Sequence, residues 1–97
     1  MHGLSSQLTG RMADIAGRFG VQRLVLFGSR ARGDYRRTSD IDLAVHGLDR
    51  GCEMAFRAAM DDLPTLLKLD IVPVRENTDA ALLREMERDG VVLWSRE

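Results

Sequence analysis

The sequence has few of the features that indicate a disulfide-linked, zinc-binding or membrane protein. Cys52 is the only cysteine among 97 residues, so neither an intramolecular disulfide nor a cysteine-based zinc site can form within the chain. No stretch approaches the roughly 18 consecutive apolar residues of a membrane span. The N-terminal segment MHGLSSQLTGRM also has no apolar signal-peptide region. We therefore expect a cytoplasmic protein that does not bind a membrane.

An excess of charge of either sign is also lacking, since the formal net charge is −1. Proteins that bind DNA or RNA usually carry a basic surface, so the sequence does not predict direct nucleic-acid binding. Lysine is nearly absent, because Lys68 is the only lysine and the other 13 basic residues are arginines. The planar arginine side chain suits phosphate groups, although high-GC codon usage explains this bias equally well.

The length and composition predict a single domain spanning residues 1–97. Hydrophobic residues make up 44% and charged residues 30% of the chain, which is typical of a globular protein. A chain of this length can form one hydrophobic core but no separate substrate-binding lobe. We therefore expect a large substrate to be held partly by another molecule.

Hydrophobic periodicity predicts the order helix, strand, loop, strand, helix, strand, helix, strand. The predicted helices cover 4–19, 49–63 and a last segment that Asn77 or Thr78 caps and Gly90 ends. The predicted strands are RLVLF (23–27), DIDLAV (40–45), LLKLDIVPV (66–74) and VVLW (91–94). The fold class is therefore α/β (α+β), with a small mixed sheet covered by helices.

Two aspartates interrupt the apolar pattern of the second predicted strand. Side chains alternate along DIDLAV, so Asp40 and Asp42 share one face and the large apolar residues share the other. If the third strand lies beside the second, Asp70 faces the same space. Carboxylates this close repel one another, and a divalent cation would relieve the repulsion. Hard oxygen ligands without a nearby cysteine indicate Mg²⁺, with Mn²⁺ also possible.

Gly28 and Ser29, directly after the first predicted strand, are the expected phosphate-binding turn. Glycine lets the backbone approach an anion closely, and Ser29 adds a hydroxyl donor. A helical turn that starts at Ser29 would add free amide groups. Arg30 and Arg32 could neutralise the remaining phosphate charge. The sequence leaves the roles of three further loop residues open: Tyr35, Arg36 and Arg37.

These groups together indicate nucleotidyl transfer. Two metal ions roughly 3.5 to 4 Å apart would contact the attacking and leaving oxygens while the protein positions a triphosphate. Asp70 could both bind the catalytic metal and help to deprotonate the incoming hydroxyl.

The stretch GSRARGDYRRTSDIDL resembles the signature of the DNA polymerase β-like nucleotidyltransferase superfamily, and more closely that of minimal nucleotidyltransferase (MNT) domains. KLDIVPV and LLREMERDGVVLW are similar to the family's third-acid strand and to its closing helix and strand. The resemblance implies a polymerase β palm-like nucleotidyltransferase fold that uses two Mg²⁺ ions and ATP. It also implies that Asp40, Asp42 and Asp70 are the catalytic and metal-binding residues.

MNT proteins are commonly antitoxins encoded beside a HEPN-domain toxin, and members of this group transfer AMP from ATP to a tyrosine of the toxin. The resemblance therefore implies a protein adenylyltransferase that forms a hetero-complex with a HEPN ribonuclease toxin and silences it. Two alternatives stay open. The chain could be a non-catalytic, nucleotide-binding antitoxin that acts by complex formation, or it could transfer nucleotides to a small molecule or a tRNA.

Overall fold

Four helices, one 3₁₀ turn and four strands make up the computed structural model, which describes residues 2–96. In chain order they are α1 (Ser6–Arg18), β1 (Arg23–Phe27), α2 (Ser29–Arg32), β2 (Ile41–His46), the 3₁₀ turn (Arg50–Cys52), α3 (Glu53–Asp61), β3 (Leu69–Pro73), α4 (Ala80–Asp89) and β4 (Val91–Ser95). This order confirms the prediction from periodicity. The predicted helix 49–63 is divided between the 3₁₀ turn and α3, and Asp40 lies one residue before β2.

The N-terminal caps of α1 and α4 show how local sequence starts these helices. The side chain of Ser5 accepts a hydrogen bond from the amide of Leu8 at the start of α1. At α4 the predicted caps are wrong, because Asp79 accepts the hydrogen bond from the amide of Leu82 at 3.1 Å. The Thr78 hydroxyl instead accepts a hydrogen bond from the amide of Arg75, which closes the preceding turn.

The strands form one mixed sheet in the order β3-β2-β1-β4. β1 is antiparallel to both β2 and β4, whereas β2 and β3 are parallel. A parallel pair needs a crossover connection, and the segment that contains α3 provides it. The predicted fold class is therefore confirmed. The crossover also places β3 at one edge of the sheet, directly beside β2.

Helices cover both faces of this sheet. The larger core lies between the sheet and α1 with α3, and it includes the alternating β2 residues Ile41, Leu43 and Val45. The smaller core lies under α4 and includes Ala44 and Met86. Because side chains alternate along a strand, Asp42 shares the α4 face with Ala44. No helix within residues 2–96 is both long and apolar enough to span a membrane.

Candidate active site

Asp42 and Asp70 lie side by side on adjacent strands. Asp42 is the register partner of Asp70 across the parallel β2–β3 pair, and on its other side it is opposite Phe27 of β1. The expectation that Asp70 faces the same space as Asp42 is therefore confirmed. Asp40 lies just before β2 and is exposed, as is Asp70 on the edge strand. The three acids thus form a cluster at an open edge of the sheet.

Asp42 is the half-buried acid of this cluster. Burial raises the pKa of the Asp42 carboxyl, and the negative charges of Asp70, Asp40 and Glu85 raise it further, in that order. A side-chain hydrogen bond with Asp70 also raises the pKa of Asp42. The chain itself therefore leaves negative charge at this position incompletely compensated.

Gly28 lies against the Asp42 carboxylate. A Cβ atom built on Gly28 would be 2.2 Å from Oδ2 of Asp42, a separation that two non-bonded atoms cannot adopt. Gly28 also has a φ of 76° and a ψ of −156°, a conformation that is essentially restricted to glycine. Ser29 then begins α2, whose first amide groups have no acceptor within the helix. The turn predicted to bind phosphate is therefore in contact with the acid cluster.

Gly28→Ala is expected to lower the free energy of unfolding by about 3 kcal/mol, because it combines backbone strain with displacement of the Asp42 side chain. Gly33→Ala is the matched control: Gly33 also has a positive φ, 94°, but a Cβ atom there would meet nothing within 4 Å. We expect a loss of about 1 kcal/mol for the control. Urea denaturation of both variants measures the difference, and equal losses would contradict the proposed contact.

Arg30, predicted to bind the nucleotide, is directed into the protein. Its side chain is 2% exposed, and its guanidinium carbon lies 5.0 Å from the centre of the Tyr35 ring. The guanidinium donates hydrogen bonds to four main-chain carbonyl groups, at distances of 3.0 to 3.5 Å: His2, Arg36, Arg37 and Ser39. In this arrangement Arg30 organises the loop between α2 and β2. Three loop residues whose roles the sequence left open are its partners: Tyr35, Arg36 and Arg37.

Arg32 has a different environment, at the surface between α2 and α4. Its Nε atom lies 3.4 Å from Oδ2 of Asp34, and its Nη1 atom lies 3.2 Å from Oε1 of Glu85 on α4. Glu85 is not among the site residues predicted from the sequence. The sequence does indicate where Glu85 lies. It immediately precedes Met86, which is on the buried face of α4, so Glu85 lies at the border of that face.

The chain matches a known protein family over most of its length. Residues 13–97 match the family model described as Polymerase beta, Nucleotidyltransferase. The chain belongs to this nucleotidyltransferase family. The resemblance seen in the sequence is thereby confirmed at the level of the family. No curated protein gives a significant match to the sequence.

Solved structures with this nucleotidyltransferase fold include chains from toxin–antitoxin complexes. A chain of a toxin–antitoxin with AMP-PNP has a TM-score of 0.68 and 24% identity, covering 92% of this chain and 74% of that chain. A mutant of the toxin–antitoxin MntA–HpeT gives a TM-score of 0.67 and 22% identity over 92% of this chain and 74% of that one. A chain from the complex of a tri-AMPylated Shewanella oneidensis HEPN toxin with MNT antitoxin has a TM-score of 0.62 and 21% identity. The match covers 98% of this chain and 73% of that chain. These similarities show a shared fold.

The donor atoms of this nucleotidyltransferase suit a hard divalent cation. Within residues 2–96, no three acidic, histidine or cysteine side chains form a complete metal site. Asp42 and Asp70 nevertheless bring two carboxylates together on adjacent strands, where burial and the neighbouring acids raise the pKa of Asp42. Mg²⁺ commonly takes one or two protein carboxylates and completes its shell with water and substrate phosphate. The residues that would hold it are Asp42 and Asp70, with Asp40 beside them.

Proposed function

We propose that this nucleotidyltransferase transfers AMP from ATP to a tyrosine of a HEPN-domain toxin and thereby acts as its antitoxin. The observation that carries the proposal is the pairing of Asp42 with Asp70 across two parallel strands, in contact with Gly28. Paired carboxylates beside a turn with free amide groups suit metal-dependent transfer at a phosphate. Membership of the nucleotidyltransferase family supports the reaction class.

The reaction is a displacement at the α-phosphorus of ATP. The tyrosine oxygen forms a bond to this phosphorus, and the bond from the phosphorus to the oxygen shared with the β-phosphate breaks. Pyrophosphate leaves with the electron pair of that bond. The hydroxyl proton passes to a carboxylate, for which the exposed Asp70 is our candidate. Divalent cations, when bound by the acid cluster, supply positive charge for the attacking and leaving oxygens.

The remaining residues of the site position the triphosphate. Gly28 allows its main chain to approach a phosphate without a side chain in the way, and the Ser29 hydroxyl is available as a further donor. Arg32, on the surface at the end of α2, is the arginine of this helix that could reach the phosphates. Since Arg30 already has four carbonyl acceptors, we assign it to the loop and not to the nucleotide.

A protein acceptor is favoured by the openness of the cluster. Asp70 is on the edge strand β3, and both Asp40 and Asp70 are exposed, so a tyrosine presented on another protein's surface could reach them. One protein of similar fold is an MNT antitoxin in complex with a tri-AMPylated HEPN toxin, and another toxin–antitoxin contains AMP-PNP. Both support a toxin as the acceptor for this chain.

The test is transfer of label to the product of the adjacent open reading frame. With Mg²⁺ present, we expect label from ATP carrying ³²P at the α-phosphate to reach that protein, and label at the γ-phosphate not to. The matched control is the double variant Asp40→Asn/Asp42→Asn, which should transfer nothing. Absence of label on the partner, with a wild type that binds ATP, would contradict the proposal. A double variant that still protects cells from the partner would favour neutralisation by complex formation alone.

A further inference from the structure

Arg32 connects the phosphate-binding turn to α4. It is the last residue of α2, which begins at Ser29, and its guanidinium lies between the carboxylates of Asp34 and Glu85. Glu85 immediately precedes Met86, which packs with Phe27 and Ala44 on the sheet face that carries Asp42. The resting partner of Arg32 is therefore a fourth acid at the edge of the same site.

The Arg32–Glu85 ion pair is easily exchanged. The two side chains are 37% and 35% exposed, and solvent-accessible ion pairs of this type contribute only about 0.2 to 1 kcal/mol. An arginine bound to phosphate forms shorter, charge-assisted and frequently bidentate hydrogen bonds, which are stronger. A triphosphate beside Asp42 would therefore compete successfully with Glu85 for this guanidinium. Arg30 cannot make such an exchange, because its side chain is buried under the loop.

We propose that Glu85 is a positioning residue that holds Arg32 beside the acid cluster until ATP binds, when Arg32 exchanges the Glu85 carboxylate for the nucleotide phosphates. The inference rests on the proposed function, since it takes ATP as the ligand. Its consequence is that Glu85 weakens nucleotide binding mainly by competing for Arg32.

The test is the affinity for α,β-methylene-ATP, in which the bond broken during adenylyl transfer cannot be cleaved. At saturating Mg²⁺, Glu85→Gln is expected to bind this analogue about threefold to tenfold more tightly than the wild type, as measured by calorimetry. Glu87→Gln is the matched control on the same helix. Glu87 lines a separate cleft with Arg23 and His46, so its replacement should leave the affinity unchanged.

A double-mutant cycle separates exchange of Arg32 from simple charge repulsion. Arg32→Gln should weaken binding, and in that background Glu85→Gln should change the affinity by less than about twofold. Unchanged or weaker binding by Glu85→Gln would overturn the inference while leaving the proposed function intact. An equal gain with and without Arg32 would also overturn it, because repulsion alone would then explain the effect. A wild type that fails to bind the analogue would overturn both proposals.

Discussion

Asp42→Asn is expected to reduce nucleotidyl transfer by at least about 100-fold while raising the stability of the protein. The loss follows if Asp42 is a ligand of the catalytic cation. The gain has a separate cause: the wild-type carboxylate is half-buried beside Asp70, Asp40 and Glu85, and its pKa is raised. A neutral amide of almost the same size removes this repulsion and can donate a hydrogen bond to Asp70.

The stability gain expected for Asp42→Asn depends on pH. A carboxyl with a raised pKa binds its proton more tightly in the folded state than in the unfolded state. Its stabilising contribution is therefore complete at low pH and is lost as the pH rises through the folded-state pKa. Asp42→Asn should accordingly gain most over the wild type near neutral pH, by about 1 kcal/mol or less after allowance for solvent screening. The gain should shrink as the pH falls through the raised pKa of Asp42.

Thermal unfolding over a pH series measures the stability effect, and Asp40→Asn is the control. Asp40 belongs to the same cluster but is exposed, so its replacement should raise Tm less than that of Asp42. Lower stability of Asp42→Asn at neutral pH would contradict the electrostatic argument. Undiminished transfer by Asp42→Asn would contradict its proposed role as a metal ligand.

Arg30→Met is expected to lower the free energy of unfolding by about 3 to 5 kcal/mol, the largest stability effect that we predict. Methionine fills similar space but cannot donate a hydrogen bond, so four carbonyl groups would lose a donor. Three of these carbonyl groups, those of Arg36, Arg37 and Ser39, belong to the loop that leads directly into Asp40 and β2. We therefore expect divalent cation binding to weaken as well, in any fraction of Arg30→Met that remains folded.

Urea denaturation measures this loss against two comparison variants. Arg37→Met makes the same chemical change at an exposed side chain of the same loop, and it should alter stability by less than about 0.5 kcal/mol. Arg30→Lys keeps the charge but lacks the planar fork of donors, so it should not restore wild-type stability. Equal stabilities of Arg30→Met and Arg37→Met would show that the buried guanidinium does not hold the loop.

The strands and the acid pair were predictable because the pattern that defines them is local. Alternation along DIDLAV is enough to separate the Asp42 face from the apolar face, and the core confirms it. The cap of α4 was predicted wrongly because Asn77, Thr78 and Asp79 are all good capping residues. Which of them caps the helix depends on the turn before it, where Thr78 is already bonded to Arg75.

The partners of the two arginines of α2 were not predictable from the local pattern. Arg30 and Arg32 look equivalent in GSRARG, yet one is buried and the other is at the surface. Arg30 is buried because the loop and residue 2 fold back over it and offer carbonyl acceptors. Glu85 reaches Arg32 only because α4, distant in the sequence, packs on the face that also carries Asp42.

The sequence by itself determined the family, the order of the elements and the identities of the acids, since these depend on residue type and spacing. The tertiary structure decided how those residues are used. Parallel pairing of β2 with β3 makes Asp42 and Asp70 neighbours, and the turn at Gly28 lies against Asp42. The loop between α2 and β2 folds over Arg30, whereas Arg32 stays at the surface beside Glu85. These outcomes depend on contacts between residues far apart in the chain, where burial and unpaired hydrogen-bonding groups determine which arrangement is stable.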